Sequence, residues 1–541
     1  MKPWIKERYT IGKTFSYRIE RVIIKEHMVI ADEEVKLSLF CNPSFHDNFT
    51  IHIFSSGDIH LNYGNERSLN YAFFALDEEK DHLEVGLLEG GPDFKIRGII
   101  EGFYGTPWSH SDRLDVIRFI DDYRMNAYFY APKDDPYHRF LWRESYPEED
   151  LSRLVELIDE ANQKHIDFYF CISPGQDFIY TKDEEFEELF KKINQVMSYG
   201  VKHFSLLMDD IDYDLKGESK DRFQRPGVAH AYISNRLNRY LASKLDSYAF
   251  VMCPTEYWQN WDTEYRKDLR EGLDTEIMVF WTGYNTVAEY IPNFDGNRAK
   301  EIFNHPLILW DNYPVNDMAT DHLFMGPLVN RGNKLSESHV GMLSNPMIPW
   351  HLSKLPVITM ADYMWDSHTY QPEESYREAV KDLGRNDISF EQALKIFADE
   401  NRPSLIHYQP NITLEKWIQN KDFHTLDEYF KRVHDACQIL KTSDIYPEFT
   451  EQALPWIERF ERDFQAWVKI KKGQATPADF EYIENDPHVM GYQVLAKIAK
   501  KMNLYHGKIY KKERPNFWDN PKVKRWNITI SSSRVEVSEG F

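Results

Sequence analysis

The residues of this chain best suited to chemistry stand at the ends of short apolar runs, and the sharpest feature is the pair Asp209-Asp210 in Leu207-Met208-Asp209-Asp210-Ile211-Asp212. Neighbouring carboxylates raise one another's cost of ionisation, so burial favours one protonated and one charged group, an acid beside a charge stabiliser. A strand running through both would send them to opposite faces, so the sequence leaves their separation open and the rule linking carboxylate distance to stereochemistry cannot be applied. Similar polar endings recur in Glu101-Gly102-Phe103-Tyr104-Gly105, Ala131-Pro132-Lys133-Asp134-Asp135, Cys253-Pro254-Thr255-Glu256-Tyr257, Trp281-Thr282-Gly283, Trp310-Asp311-Asn312 and Ser344-Asn345-Pro346. Together they supply acids, amides, one lysine and several aromatics. That mixture suits a neutral sugar, whose C–H face packs on rings while its hydroxyls need hydrogen-bond partners on burial. A phosphate site would want more cations.

Each feature also has an ordinary reading. An Asp-Asp at a strand end caps the next helix, Lys133 is an ion-pair partner for Asp134 or another rim acid, Cys253 is a buried thiol, and Trp281 and Trp310 count as core. Glu101 and Asp311 read as structural rim acids. Residues Asp210 to Asp214 imitate a calcium loop, but Leu215 stands where the turn needs Gly and Asp221 where a bidentate Glu is expected, which leaves Asp212 and Asp214 structural or solvated. The 20 histidines show no HExxH spacing. No metal or cofactor is expected.

What must position these residues is an alternation of strands and helices. Candidate strands are Ile96–Glu101, Ala127–Ala131, Phe168–Ser173, His203–Met208, Tyr248–Cys253, Glu276–Thr282, Leu307–Asp311 and Val340–Asn345, separated by amphipathic stretches such as Asp112–Arg124, Glu148–Gln163, Glu184–Met197 and Ala229–Lys244. Eight such units predict a (β/α)8 barrel, whose reactive groups sit at the C-terminal strand ends. An open doubly wound sheet is the alternative, but no Gly-rich phosphate turn follows any strand. Before the barrel, residues 1–92 alternate polar and apolar positions and end at Gly90-Gly91-Pro92, which predicts a small strand-rich α/β domain. After it, Phe390–Asp399, Leu426–Thr442, Thr450–Lys471 and Val494–Tyr505 carry helical spacing. The division is thus 1–92, 93–375 for the barrel, and 376–541 for a helical domain, with Trp526–Phe541 a terminal strand or a frayed tail.

Composition bounds the partners. Hydrophobic residues make up 42% and charged residues 28% of 541, enough for a large core. The 65 Lys and Arg against 87 Asp and Glu leave a net charge of −22, which disfavours nucleic acid and anionic membrane surfaces. Four scattered cysteines with no CxxC, and an N-terminus without an apolar h-region, predict a cytoplasmic protein.

The runs Arg97-Gly98-Ile99-Ile100-Glu101-Gly102-Phe103-Tyr104-Gly105, Tyr130-Ala131-Pro132-Lys133-Asp134-Asp135, Ile172-Ser173-Pro174-Gly175 and Leu207-Met208-Asp209-Asp210-Ile211-Asp212 resemble glycoside hydrolase family 84, the O-GlcNAcases and bacterial β-N-acetylglucosaminidases, some described as hyaluronidases. The resemblance continues in order through the rim motifs at 253–257, 281–283, 310–312 with Asp317, and 344–346, while the flanking segments match only in layout. It implies retaining, substrate-assisted hydrolysis through an oxazoline, so that no enzyme nucleophile is required. By motif position it implies that Asp209 orients the 2-acetamido N–H, that Asp210 is the acid and then the base, and that Tyr257 hydrogen-bonds the acetamido oxygen. Gly102 through its carbonyl, Lys133, Asn312, Asp317 and Asn345 would hold the sugar. Trp310, Tyr104, Cys253 and Thr282 would wall the pocket, with Cys253 beneath the acetamido methyl. The expected substrate is a glycan or glycoprotein bearing terminal β-GlcNAc. The alternatives are a non-catalytic GlcNAc-binding barrel and a hyaluronidase-like endo-acting glycosidase. The helical segment is expected to shape an aglycone groove or to form a homodimer.

Overall fold

The computed structural model describes residues 14–24, 28–55, 58–78, 86–407, 411–507, 525–531 and 534–540, with side chains described within 37–507. The N-terminal residues that carry no apolar h-region lie outside them.

An N-terminal sheet comprises β1 (Thr14–Ile24), β2 (Met28–Cys41), β3 (Phe49–Ile53), β4 (Ile59–Tyr63) and β5 (Gly86–Gly90), in the order β1-β2-β4-β3-β5. β3 and β4 bury alternate residues, and α1 (Glu66–Glu78) lays Leu69, Ala72, Phe73 and Leu76 against that apolar face. This is the period-two pattern of a sheet covered on one side.

The rhythm then changes to strands buried on both faces. β6 (Ile96–Ile100), β7 (Ala127–Tyr130), β8 (Asp167–Ile172), β9 (His203–Leu207), β10 (Ala249–Cys253), β11 (Met278–Trp281), β12 (Leu307–Pro314) and β13 (His339–Asn345) pair in parallel and close into a barrel, β13 against β6. This is the expected (β/α)8 architecture. Ile100, Phe129, Tyr169, Val251, Phe280, Ile308 and Leu343 fill its interior. Around it run α2 (His110–Asp122), α3 (Glu148–Gln163), α4 (Asp183–Met197), α5 (Gly217–Phe223), α6 (Pro226–Ala242), α7 (Glu264–Gly272), α8 (Asn293–Phe303) and α9 (Trp350–Trp365). Local chemistry starts several of these helices. Ser109 caps α2 by accepting from Asp112 N, and Thr263 caps α7 by accepting from Arg266 N.

Strand boundaries differ from the expected ones by a residue or two, chiefly because the polar rim residues have left the ladder. One difference is larger: β12 runs on to Pro314, and its pairing passes from Asp311 with Ser344 to Pro314 with Asn345, so Asn312 and Tyr313 form a bulge at the rim.

Helices α10 (Pro372–Leu383), α11 (Ile388–Glu400), α12 (Ile412–Asn420), α13 (Phe423–Thr442), α14 (Pro447–Lys471), α15 (Tyr482–Asn485) and α16 (Val494–Lys501) follow. The last of these stops short of the expected Tyr505, and β14 (Arg525–Ser531) pairs with β15 (Arg534–Gly540) where a strand or a tail was expected. α9 is apolar on nearly every side because it is wedged between the barrel and α14. His351 on α9 meets both Tyr446 Oη at 3.0 Å and Asp112 at 3.2 Å.

Candidate active site

The chain leaves β9 at Leu207, and Asp210 then takes a left-handed φ of +48°. That turn resolves the ambiguity of the adjacent acids: Asp209 is 6% exposed, while Asp210 lies at the solvent-facing edge. Aspartate is one of the few non-glycine residues that enters this region readily.

Lys133, in the loop after β7 and 7% exposed, reaches across β8 to place Nζ 3.0 Å from Asp209 Oδ2. Lys133 therefore does not pair with Asp134. Burial pushes the Asp209 carboxyl up, but the Lys133 ammonium and its hydrogen bond outweigh it and hold the group below the ordinary carboxylate range. Burial likewise opposes charge on Lys133, and Asp209 reverses this and keeps the ammonium charged. Asp209 is thus held in its charged form. Its second oxygen, Oδ1, is buried and has no hydrogen-bond partner.

Asp210 accepts a 2.6 Å hydrogen bond on Oδ2 from Tyr104 Oη, and its Oδ1 lies 3.4 Å from Tyr257 Oη. Burial pushes the Tyr104 phenol up to about 12 and the Tyr257 phenol well above its usual value, so both are hydroxyl donors at any physiological pH. The Tyr104 backbone N–H donates to Asp317 Oδ2 at 2.9 Å, and burial raises the Asp317 carboxyl.

A chain of amides forms the opposite wall. Gly102 N–H donates to Asn345 Oδ1 at 3.3 Å, Asn345 Nδ2 to Asn312 Oδ1 at 2.8 Å, and Asn312 Nδ2 to the Thr286 carbonyl at 2.7 Å. Each amide keeps a second N–H and a second lone pair for a ligand. The bulge in β12 is what brings Asn312 into this chain.

Trp310 packs edge-on against Phe280 and stands so close to Gly102 that a Cβ there would lie 2.3 Å from Trp310 Cζ2. Lys133 Nζ lies 5.5 Å from the Tyr104 ring centre and 5.8 Å from that of Trp310, so both rings face the ammonium. Cys253 is buried at the end of β10 near Asp209 and Lys133, and burial pushes its thiol well above the ordinary value, which leaves it a neutral wall group. Thr282 is buried with its hydroxyl given to the Asn285 carbonyl at 3.2 Å, and its backbone N–H to the Tyr257 carbonyl.

All twelve residues singled out from the sequence therefore gather at one end of the barrel. Glu101 and Asp311 take other work: Arg113 and Tyr128 hold Glu101, and Arg331 holds Asp311 with two bonds of 2.7 and 2.8 Å. Asp212 pairs with Lys216 on the surface.

The sequence reading missed Arg139, whose Nη1 lies 3.4 Å from Tyr104 Oη. Its signal was its place in the same rim loop as Lys133, just beyond the run that was singled out. Thr286 was missed as well: its carbonyl accepts from Asn312 and its side chain meets the Tyr257 hydroxyl, and it lies beyond the Trp281-Thr282-Gly283 run that was singled out.

A family model described as beta-N-acetylglucosaminidase matches residues 97–399. The Protein O-GlcNAcase of Rattus norvegicus is 30% identical over 356 residues, covering 63% of this chain and 38% of that protein. The chain thus spans well under half the length of the curated relatives it matches. Among solved structures, a mutant of the Thermobaculum terrenum O-GlcNAc hydrolase is 31% identical with a TM-score of 0.69, over 76% of this chain and 96% of that one. CpGH84B is 26% identical with a TM-score of 0.71, over 84% and 86% respectively.

Proposed function

The chain belongs to the beta-N-acetylglucosaminidase family, and we propose that it is a retaining exo-β-N-acetylglucosaminidase that releases terminal β-linked GlcNAc, from Ser or Thr or from a glycan, by substrate-assisted catalysis. The observation that carries the reading is the divided state of Asp209. One of its oxygens is taken by Lys133, and the other is buried, charged and without a donor. An unpaired buried carboxylate oxygen is costly, and a ligand N–H relieves that cost. The 2-acetamido group of GlcNAc offers such an N–H on the arm whose oxygen attacks the anomeric carbon.

In this mechanism Asp209 accepts the acetamido N–H and stabilises the positive charge that builds on nitrogen as the acetamido oxygen bonds to C1. Tyr257 donates to that oxygen and holds it in line. As the C1–O bond to the aglycone breaks, Asp210 protonates the departing oxygen; it then takes a proton from the water that opens the oxazoline at C1 from the face the aglycone left. Two inversions give retention. Acid and base assistance of this kind contributes about 10²–10⁴-fold. Lys133, Asn312, Asn345, Asp317 and the Gly102 carbonyl hold the sugar, between Trp310, Tyr104, Cys253 and Thr282.

We take 93–375 as the catalytic unit. Among the described residues no helix is long and apolar enough to cross a membrane, and the free cysteines suit a reducing, cytoplasmic setting. A homodimer through the helical segment belongs to the same proposal. The test is a pair of aryl glycosides. Turnover of the β-N-acetylglucosaminide with release of the β-anomer, and none of the plain β-glucoside, is expected. Comparable rates on both, or release of the α-anomer, would overturn the mechanism.

A further inference from the structure

Both oxygens of Asp210 face tyrosine hydroxyls, but they do so unequally. Oδ2 takes a 2.6 Å bond from Tyr104, whereas Tyr257 stands 3.4 Å from Oδ1. A tyrosine hydroxyl can donate or accept, and its single rotatable proton decides which. At Tyr104 that choice is made by Arg139. Its Nη1 is 3.4 Å from Tyr104 Oη and its guanidinium lies 5.7 Å from the centre of the Tyr104 ring. A guanidinium carries donors and no acceptor, so the lone pairs of Tyr104 Oη face Arg139 and the O–H faces Asp210. Arg139 is itself buried, and its Nε has no hydrogen-bond partner, so the side chain is held by shape and by Tyr104 rather than by a carboxylate of its own.

The consequence falls on the acid. A proton on Asp210 Oδ2 would meet the Tyr104 O–H head-on, donor against donor. On Oδ1 it meets Tyr257 at the longer 3.4 Å, a hydroxyl shared with the Thr286 side chain, which accepts as well as donates and so fixes no direction, and one that the acetamido oxygen claims once a sugar is bound. We propose that Arg139 and Tyr104 form a positioning relay that keeps the transferable proton of Asp210 on Oδ1, the oxygen turned toward the scissile bond. Arg139 acts through Tyr104, so it is a positioning residue. The inference rests on the reading of Asp210 as the proton donor.

The test compares kcat/KM for aryl β-N-acetylglucosaminides with activated leaving groups and for alkyl ones with poor leaving groups, in Tyr104→Phe, Arg139→Met, Arg139→Lys and Asp210→Asn. Only poor leaving groups need the proton. Tyr104→Phe and Arg139→Met are expected to lose about 10- to 100-fold on alkyl substrates and under about 3-fold on activated ones, the scale of a misplaced catalytic group. Arg139→Lys, which keeps a donor-only cation, is expected to recover part of the loss. Tyr104→Phe removes one oxygen from a partly exposed ring and keeps the fold, so the proposal stays testable if the Arg139 variants do not fold. Equal losses on all leaving groups, or none, in Tyr104→Phe would overturn the relay while Asp210→Asn still discriminates. An Asp210→Asn enzyme that does not discriminate would overturn the reading beneath it instead.

Discussion

Replacing Lys133 by Met removes the cation that makes a buried, charged Asp209 tolerable. Both groups are almost wholly out of water, 7% and 6% exposed, and their contact is 3.0 Å. Taking one partner from such a pair leaves a buried charge uncompensated, at a cost of about 3–5 kcal/mol. The sign depends on pH. In the native protein the Asp209 carboxyl is held below the ordinary range despite its burial, so its contribution to stability is present above the unfolded carboxylate value and is lost as pH falls through the folded one. Without Lys133 burial is opposed only by the weaker pull of Arg139 and a backbone hydrogen bond, so the carboxyl rises and its charged form becomes the penalised one. The variant is therefore expected to be least stable, relative to the native protein, at neutral and alkaline pH, and to close the gap on acidification. Asp209 must be ionised to accept an N–H, so the acid limb of kcat/KM is also expected to move to higher pH. Thermal melting from pH 4.5 to pH 8, with Asp209→Asn added in the Lys133→Met background to remove the stranded charge, measures the first effect. A stability gap that does not change with pH, together with no recovery in the double variant, would refute the reasoning.

Three further outcomes follow from the same geometry. Asp209→Ala is expected to lower kcat/KM by about 10²-fold or more for every leaving group alike, because orientation of the acetamido arm precedes departure; a loss confined to poor leaving groups would contradict its role. Gly102→Ala would drive a Cβ to 2.3 Å from Trp310 Cζ2, so the ring must shift into the pocket, raising KM and costing about 1–3 kcal/mol of stability, checked by kinetics and melting together. Arg331→Met strands Asp311, which is 1% exposed and bonded twice to that guanidinium, and is expected to destabilise the barrel by about 3 kcal/mol in a denaturant titration.

The barrel is legible in the sequence because a strand covered on both faces must be a continuous apolar run. Ala127–Tyr130, Ala249–Cys253 and Met278–Trp281 are such runs, and their neighbours carry helical periodicity. The polar residues that follow each run are legible for the same reason: they are contiguous with the strand that delivers them. Their boundaries shift where the rim leaves the ladder, as at Glu101 and Met208, and the bulge at Asn312 and Tyr313 leaves no local signal because it depends on how β12 meets β13.

What tertiary structure alone decides is which group faces which. Nothing near Lys133 in sequence announces Asp209, since the pair forms only when β7 and β9 pair on either side of β8 and bring their ends to one rim. The left-handed turn at Asp210 that separates two adjacent acids, and the lean of Arg139 on Tyr104, are of the same kind. Helix and strand tendencies are properties of near neighbours and survive in a linear string. The pairing of charges and the direction of a hydroxyl depend on distances of a few ångströms across the fold, and those exist only once the chain has closed.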